Sequence, residues 1–423
     1  MFENVLGQTR VCEELARDAG NKELPGSLLF DGPPDCAKLT TALELARALS
    51  CTQDGAWNCQ CQDCVRHKAL SHPDVLIMGP KNHREELGAG VSMLERSPCQ
   101  ASRYFFARAA RKLARRFDRV LYDGEEGRLA KASAFVRQIM ESADLCMPGS
   151  SSDEEALKTA RALLPVCAKL NDLLPDATAV FQVRSMEAWA RQTPFGKRKT
   201  IIIEHADRML DSSRNALLKI LEEPPAHATF ILTTSRKSAM IGTILSRVRR
   251  YRFIARDNDS TKAILSRVFR DPDAQETSVS EYLSRFRPEG SHRLNELGLA
   301  FAQALCAGAG KEACTDKALA AMACTSAKSA QEILKEAAAI SANFGSGDEA
   351  MAWSFPAFLD AALEGFAKLV RKPDAQTEAI RTARRFAKLS RDALAKYSSY
   401  NLNPLALGER LAAAMAEADG GAF

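Results

Sequence analysis

The sequence predicts an α/β fold, a parallel sheet with helices on both faces, followed by an all-helical half. Three observations carry this. Residues 200–203 (TIII) and 229–232 (TFIL) are short, β-branched runs bounded by polar residues, as buried parallel strands are. Between them Ala216, Leu217, Ile220 and Leu221 line one helical face. Asp211 or Ser212 can cap its start, and Pro224-Pro225 stops it. From about residue 297 the chain turns alanine-rich and helical. A chain of 423 residues, 46% hydrophobic and 26% charged, has room for several globular domains. No apolar run approaches membrane-spanning length, and MFENVLGQ does not read as a signal peptide. The net charge of +5 permits contact with nucleic acid without requiring it.

In chain order, a helix at 10–19 precedes a buried strand at 27–30. That strand runs into Gly32-Pro33-Pro34-Asp35-Cys36-Ala37-Lys38-Leu39-Thr40. A phosphate loop of the form G-x-x-x-x-G-K-[ST] uses its glycines to wrap a phosphate in backbone N–H groups, its Lys to neutralise charge and its hydroxyl to bind magnesium. Here Gly32 and Lys38 stand. Ala37 puts a Cβ where the phosphate must approach, Leu39 has no hydroxyl, and Asp35 adds a negative charge. Thr40 comes one position late, about 100° around the following helix. The expectation is a loop that holds no ATP.

A helix at 39–49 leads to Cys51, Cys59, Cys61 and Cys64, four thiols within fourteen residues. That is the ligand count of a closed, structural zinc site. Cys61-x-x-Cys64 is a normal chelating pair, and Cys59 and Cys61 share a side of an extended segment. His67 could replace one ligand, and four buried free thiols is the bland alternative. Twelve cysteines in all, with no secretion signal, point to a reducing compartment and to metal rather than disulfides. Ser71-His72-Pro73-Asp74 enters a strand at 75–78.

Over 103–121, Phe106, Ala109, Leu113, Phe117 and Val120 recur at helical steps on one face, and Arg108, Arg111, Lys112, Arg115 and Arg119 occupy the other. This basic face is either a contact for DNA phosphates or an acidic partner, or a solvated surface. Ser152 with Glu155 forms a capping box for a helix that Pro165 interrupts. The strand at 200–203 ends in Glu204-His205, and the strand at 229–232 ends in Thr233-Thr234-Ser235. Ser246-Arg247-Val248 opens a basic run with Arg249 and Arg250. Three short helices over 257–296 precede the helical half. That half has breaks near 308–310, 345–347 and 372–374.

The succession of a hydrophobic strand ending in acid, NALLKILEEPP, FILTTS and a Ser-Arg pair resembles the clamp-loader ATPases of the AAA+ class, the delta-prime and gamma/tau subunits of bacterial DNA polymerase III. Phe2–Gln8, His72-Pro73-Asp74, Gln182-Val183-Arg184 and Asn401-Leu402-Asn403-Pro404 fit the same family. Gly290-Ser291-His292-Arg293 is similar to its second sensor. The resemblance implies an AAA+ core at 1–256, with a zinc module at about 51–72, a helical lid at 257–296 and an oligomerising helical collar at 297–423. Residues 79–178 have no counterpart in it and read as a helical insertion.

In active members the strand ends in Asp then Glu, which hold magnesium and polarise water. Glu204 and His205 replace them, and His205 also reads simply as a surface histidine. Thr234 stands at the first sensor. Arg247, with Ser246, stands at the arginine finger that reaches a neighbour's ATP, or else is a surface arginine. The resemblance therefore implies a non-hydrolysing, cytoplasmic delta-prime-type subunit with structural zinc. It binds no ATP itself, partners gamma/tau and delta subunits, and loads the sliding clamp on primed DNA without contacting a membrane. The rival readings are an ATP-hydrolysing gamma/tau-type motor and a stand-alone zinc-containing DNA-binding protein on a dead core.

Overall fold

The structure, a computed structural model, describes residues 1–80, 84–175, 177–286, 289–308, 328–342, 355–371, 377–400 and 403–416. It divides into two compact units, Met1–Phe286 and Arg287–Phe423.

The first unit is built on five parallel strands: β1 (Ser27–Asp31), β2 (Val75–Met78), β3 (Lys199–Ile203), β4 (Ala228–Thr234) and β5 (Arg249–Arg252). Their order across the sheet is β2-β3-β4-β1-β5. Strand side chains alternate between faces. Leu29, Leu76, Met78, Ile201, Ile203, Phe230 and Leu232 enter one hydrophobic cluster, and Leu28, Phe30, Val75, Ile77, Ile202 and Ile231 enter another. Helices cover both faces, so the sheet is of the buried α/β kind that the sequence predicts. The helices α1 (Thr9–Gly20) and α2 (Lys38–Ser50) lie on the second face, contributing Val11, Leu15, Leu43 and Ala46. A short α3 (Gln62–Lys68) follows the cysteines. β5 is the strand that the sequence does not announce. As an edge strand reading RRYR it buries only Tyr251, so no apolar alternation marks it.

The first face carries the residues between β2 and β3. They form α4 (Arg84–Arg96), α5 (Gln100–Ala114), α6 (Glu126–Cys146), α7 (Asp153–Asp172) and α8 (Val180–Ala190), with two short 3₁₀ turns at 115–117 and 119–122. The expected continuous helix over 103–121 therefore ends at Ala114. The capping box starts α7 as predicted, Glu155 N donating to Ser152 Oγ at 3.2 Å and Ser152 N to Glu155 Oε2 at 3.0 Å. Pro165 does not interrupt α7. The helix continues through it because Leu163, Cys167 and Leu170 are buried along one side, which offsets the lost hydrogen bond. After β3 come α9 (Asp211–Glu222) and, beyond β4, the single-turn α10 (Gly242–Leu245).

The helices α11 (Asn258–Arg267) and α12 (Val279–Ser284) complete this unit. Ile264, Leu265, Phe269 and Tyr282 share a cluster with Ala89 and Met93 of α4, which is why they group with the sheet rather than with the helices that follow.

The second unit contains α13 (Glu289–Gly308), α14 (Ala330–Ala342), α15 (Phe355–Val370), α16 (Thr377–Tyr400) and α17 (Pro404–Ala416). Its core is aromatic as well as aliphatic: Phe301 lies 5.1 Å from Phe358, and Phe366 4.6 Å from Phe386. Side chains of 290–293, and residues 401–402, lie outside the described residues, so the second-sensor and collar-entry resemblances find no geometry here. Among the described residues no helix is long and apolar enough to cross a membrane.

Candidate functional site: a closed phosphate loop, a strand-end carboxylate and a thiol cluster

The turn after β1 stands where the sequence places a phosphate loop, and its side chains fold back onto it. Gly32 passes so near β5 that a Cβ there would sit 2.6 Å from the Phe253 carbonyl. Asp35 (φ +51°) and Ala37 (φ +70°) are both left-handed, the conformation that glycine adopts freely and alanine does not. Ala37→Gly is therefore expected to raise stability by about 1 kcal/mol. A thermal melt checks this, and the change alone should confer no nucleotide binding.

Lys38 points back into its own loop. Its Nζ donates to the Gly32 carbonyl at 2.7 Å and to the Pro33 carbonyl, and lies 3.4 Å from Cys36 Sγ, leaving the residue 9% exposed. Leu39 packs against the sheet cluster and Thr40 faces solvent. Asp35 accepts a hydrogen bond from Ser280 Oγ of α12, and its carbonyl accepts one from Arg256. The loop is thus closed onto itself and fastened to the helices after the sheet.

At the carboxyl end of β3, Glu204 forms an ion pair with Arg116, whose side chain is 1% exposed. The same guanidinium donates to the Lys112 carbonyl. His205 takes a left-handed φ of +50°, and its backbone N–H donates to Thr233 Oγ1 at 3.3 Å. Burial pushes its imidazole pKa down against the pull of Glu204, so the ring is neutral at pH 7. Thr234 donates from Oγ1 to Asp207 Oδ1 at 2.7 Å and is buried.

Arg116 and Asp207 are the members of this constellation that the sequence reading missed. The signal for Arg116 was present. Three residues after Leu113 and beside Phe117, it sits on the apolar stripe, where an arginine needs a buried partner.

The basic face expected of 103–119 requires correction, because most of it turns inward. Arg108 donates to the Lys68 carbonyl, Arg111 to the Ala69 carbonyl at 3.1 Å and to Asp144, and Lys112 to Glu86. Arg115 donates to the Val75 carbonyl and pairs with Asp118 at 2.9 Å. Only Arg119 of the five is exposed. The cause is packing: α5 lies across the end of α3 and the start of β2, whose free carbonyls need donors. Arg103, also buried, serves α6 likewise, donating to the carbonyls of Leu145, Cys146 and Met147 at its C-terminus.

Arg247 follows α10 and lies at the rim, its side chain 28% exposed. It donates to the Thr243 carbonyl at 2.9 Å and to Ser246 Oγ at 3.4 Å, and pairs with the exposed Glu222 of α9 at 3.3 Å.

The sulfurs of Cys51, Cys59, Cys61 and Cys64 lie within 4.8 Å of one another, a set that could hold a metal ion. Cys51 is 3.6 Å from Cys59 and 3.9 Å from Cys61. Four thiolates about 2.3 Å from one tetrahedral ion stand about 3.8 Å apart, so the set fits. Backbone N–H groups point at the sulfurs: Gln53 N at Cys51, Cys61 N at Cys59 and Cys64 N at Cys61, at 3.3 to 3.5 Å. Burial raises the Cys61 thiol, but hydrogen bonds from Thr52 and Cys64 outweigh it and bring the pKa down to about 6. Arg47, buried, donates to Cys64 Sγ at 3.3 Å and to the Gly55 and Ala56 carbonyls, and pairs with the buried Glu44 at 3.1 Å.

His67 is not part of the set. It stacks on His72 with ring centres 4.1 Å apart, and burial, then His72, Arg47 and Arg108, push its pKa down to about 2. Asp74, just before β2, holds the loop before β3 by accepting from Phe195 N at 2.8 Å and Gly196 N at 2.6 Å, and Lys197 of that loop donates to the Cys51 carbonyl at 2.6 Å.

The fold is a parallel α/β core in which the turn after β1, the strand-end Glu204 and the polar end of β4 lie at the carboxyl ends of the strands, where such sheets bind ligands. The family described as "DNA polymerase III, delta subunit" matches residues 7–257. The chain belongs to that family of DNA polymerase III clamp-loader subunits.

Individual relatives match over shorter stretches. The tau subunit of DNA polymerase III from Bacillus subtilis is 37% identical over 83 residues, 20% of this chain and 14% of that protein. The delta' subunits of Bacillus subtilis and Pseudomonas aeruginosa are 34% and 39% identical, over 17% and 16% of this chain and 22% and 21% of theirs. The chain thus spans between about an eighth and a fifth of the length of the curated relatives it matches. A gamma subunit-related protein from Thermotoga maritima is similar at 18% identity and a TM-score of 0.29, covering 56% of this chain and 78% of that one. That likeness is too slight to add to the fold described above.

Proposed function

We propose that this chain is a delta-prime-type subunit of a DNA polymerase III clamp loader, one that hydrolyses no ATP itself and acts on a neighbour's. The observation that carries the reading is the state of the loop: Lys38 is committed to the Gly32 and Pro33 carbonyls, and Leu39 offers no metal ligand. A second observation points outward. Arg247 stands at the rim beside a solvent-exposed carboxylate that it can leave. Placed against a neighbouring subunit's ATP, its guanidinium would stabilise charge developing on the transferred phosphoryl group. Ser246 would fix the turn that presents it, as its hydroxyl donates to the Thr243 carbonyl at 3.0 Å.

The four-cysteine set is proposed to hold zinc. Its all-sulfur, closed ligand shell gives the ion a structural part and no open position for chemistry. In the same reading residues 257–296 serve as a lid and 297–423 as a collar packing against the gamma/tau and delta subunits. The assembled loader acts in the cytoplasm on the sliding clamp and primed DNA.

Reconstitution tests this. Mixed with gamma/tau-type and delta subunits, the chain is expected to enter one complex that loads the clamp, and Lys38→Ala is expected to load at the unaltered rate. Abolition of the complex's ATPase by Lys38→Ala would support the motor reading instead. Failure to enter any complex would support the stand-alone DNA-binding reading.

A further inference from the structure

The residues between β2 and β3 hold two parts of the first unit at once. At the sheet, Arg116 pairs with the strand-end carboxylate of Glu204. The segment starts flush against that residue: a Cβ on Gly79 would lie 2.9 Å from Glu204 Cβ, so the chain leaves β2 directly beside it. On its other side α4 packs on the helices after the sheet. Ala89 and Met93 enter the cluster of Ile264, Leu265, Phe269 and Tyr282. Arg96 donates to the carbonyls of Phe269 and Arg270 and to Tyr282 Oη, each at 3.0 Å, and pairs with Asp271 at 3.1 Å. Gly88 lets α4 approach so closely that a Cβ there would meet Phe286 Cβ at 2.8 Å.

The carboxyl ends of parallel strands are where such sheets bind ligands, and in phosphate-loop enzymes a carboxylate there helps hold the metal that accompanies the nucleotide. Arg116 is buried and Glu204 largely so, and such a charge needs its opposite whether or not a nucleotide is present.

We infer that the insertion is a built-in substitute for bound metal–nucleotide: Arg116 supplies the cation that Glu204 requires, and α4 holds the helical segment 258–286. Sheet and segment are thereby fixed in one arrangement that does not respond to ATP. The inference rests on the reading of this chain as a subunit that holds no ATP; the Arg116 and Glu204 variants test the insertion apart from that reading. It also gives the longer arm of Glu204 a purpose, since the guanidinium arrives from the side of the 3₁₀ turn at 115–117 rather than from the phosphate loop.

The test uses the full chain and hydrogen exchange. In the unaltered protein, millimolar Mg-ATP is expected to leave exchange across 258–286 unchanged. Arg116→Met and Glu204→Gln should each lower the folding equilibrium constant by on the order of a hundredfold or more, because each strands a buried charge or its partner. Arg116→Met/Glu204→Met should recover most of the loss, and Arg116→Lys, which keeps the cation, part of it. Arg116→Met should also speed exchange at both 200–206 and 258–286. If that variant does not fold, Arg116→Lys and the unaltered protein with Mg-ATP decide the matter. Slowed exchange at 258–286 on adding Mg-ATP overturns the inference. So does faster exchange confined to 200–206, or losses that simply add in the double variant.

Discussion

Arg247→Ala is expected to lower ATP turnover by the assembled loader while leaving this chain's fold unchanged. The side chain is only partly buried and makes one exposed ion pair, with Glu222, so truncation should cost about 1 kcal/mol of stability or less. Against a neighbour's nucleotide the same group is worth far more. A guanidinium supplied in trans to a phosphoryl transfer accelerates it on the order of a thousandfold or more. The site served should therefore fall nearly silent, and total DNA-stimulated turnover should drop by that site's share, with clamp loading falling further if all sites must fire in turn. Glu222→Ala separates the two roles, because it frees Arg247 without removing it and should leave turnover near normal. Equal turnover for Arg247→Ala and the unaltered chain would assign the arginine to the surface.

Cys64→Ser is expected to abolish metal binding and to loosen residues 51–72 while the sheet stays folded. Protein prepared without chelator should carry about one equivalent of zinc, as a closed four-ligand site does. Cys64 is wholly buried, so a serine there removes a ligand from the interior of the set while Arg47 keeps its partners in Glu44 and the Gly55 and Ala56 carbonyls. Metal-ligand energy in small modules amounts to about 10 kcal/mol or more, and here most of it is local, because 51–72 buries little apolar surface of its own. Limited proteolysis should cut the Cys64→Ser chain within 51–72 long before it cuts 199–234. Metal analysis showing no zinc, with unchanged proteolysis in the variant, would leave four buried thiols as the description. The same chain treated with a chelator should reproduce the variant's cleavage pattern.

What could be read from the sequence was whatever depends on near neighbours. β1, β2, β3 and β4 announced themselves as short apolar runs because each is buried on both faces. That the loop lacks its second glycine and its hydroxyl was readable from Ala37 and Leu39, whatever the fold does; that Lys38 turns back onto the Gly32 and Pro33 carbonyls was not. The four thiols could be placed by spacing alone. β5 was not legible, because an edge strand that buries one tyrosine has no pattern to show. The basic face of α5 misled for a related reason. Periodicity separates Arg108, Arg111, Lys112 and Arg115 from the apolar stripe, but only tertiary packing shows that α3 and β2 present carbonyls there. Arg116 and Glu204 are 88 residues apart, and no local pattern links them. The clue lay in a charge on an apolar stripe, which names a need without naming the partner.

We propose that the core has the strand frame of a nucleotide site without the groups that would hold the nucleotide. Titration calorimetry of Mg-ATP into the purified full chain tests this most directly, with Ala37→Gly/Leu39→Thr as a comparison in which the loop glycine and hydroxyl are restored. The expected result is no saturable heat from the unaltered chain up to millimolar nucleotide. One-to-one binding in the micromolar range would contradict it, and with it the assignment of a silent subunit.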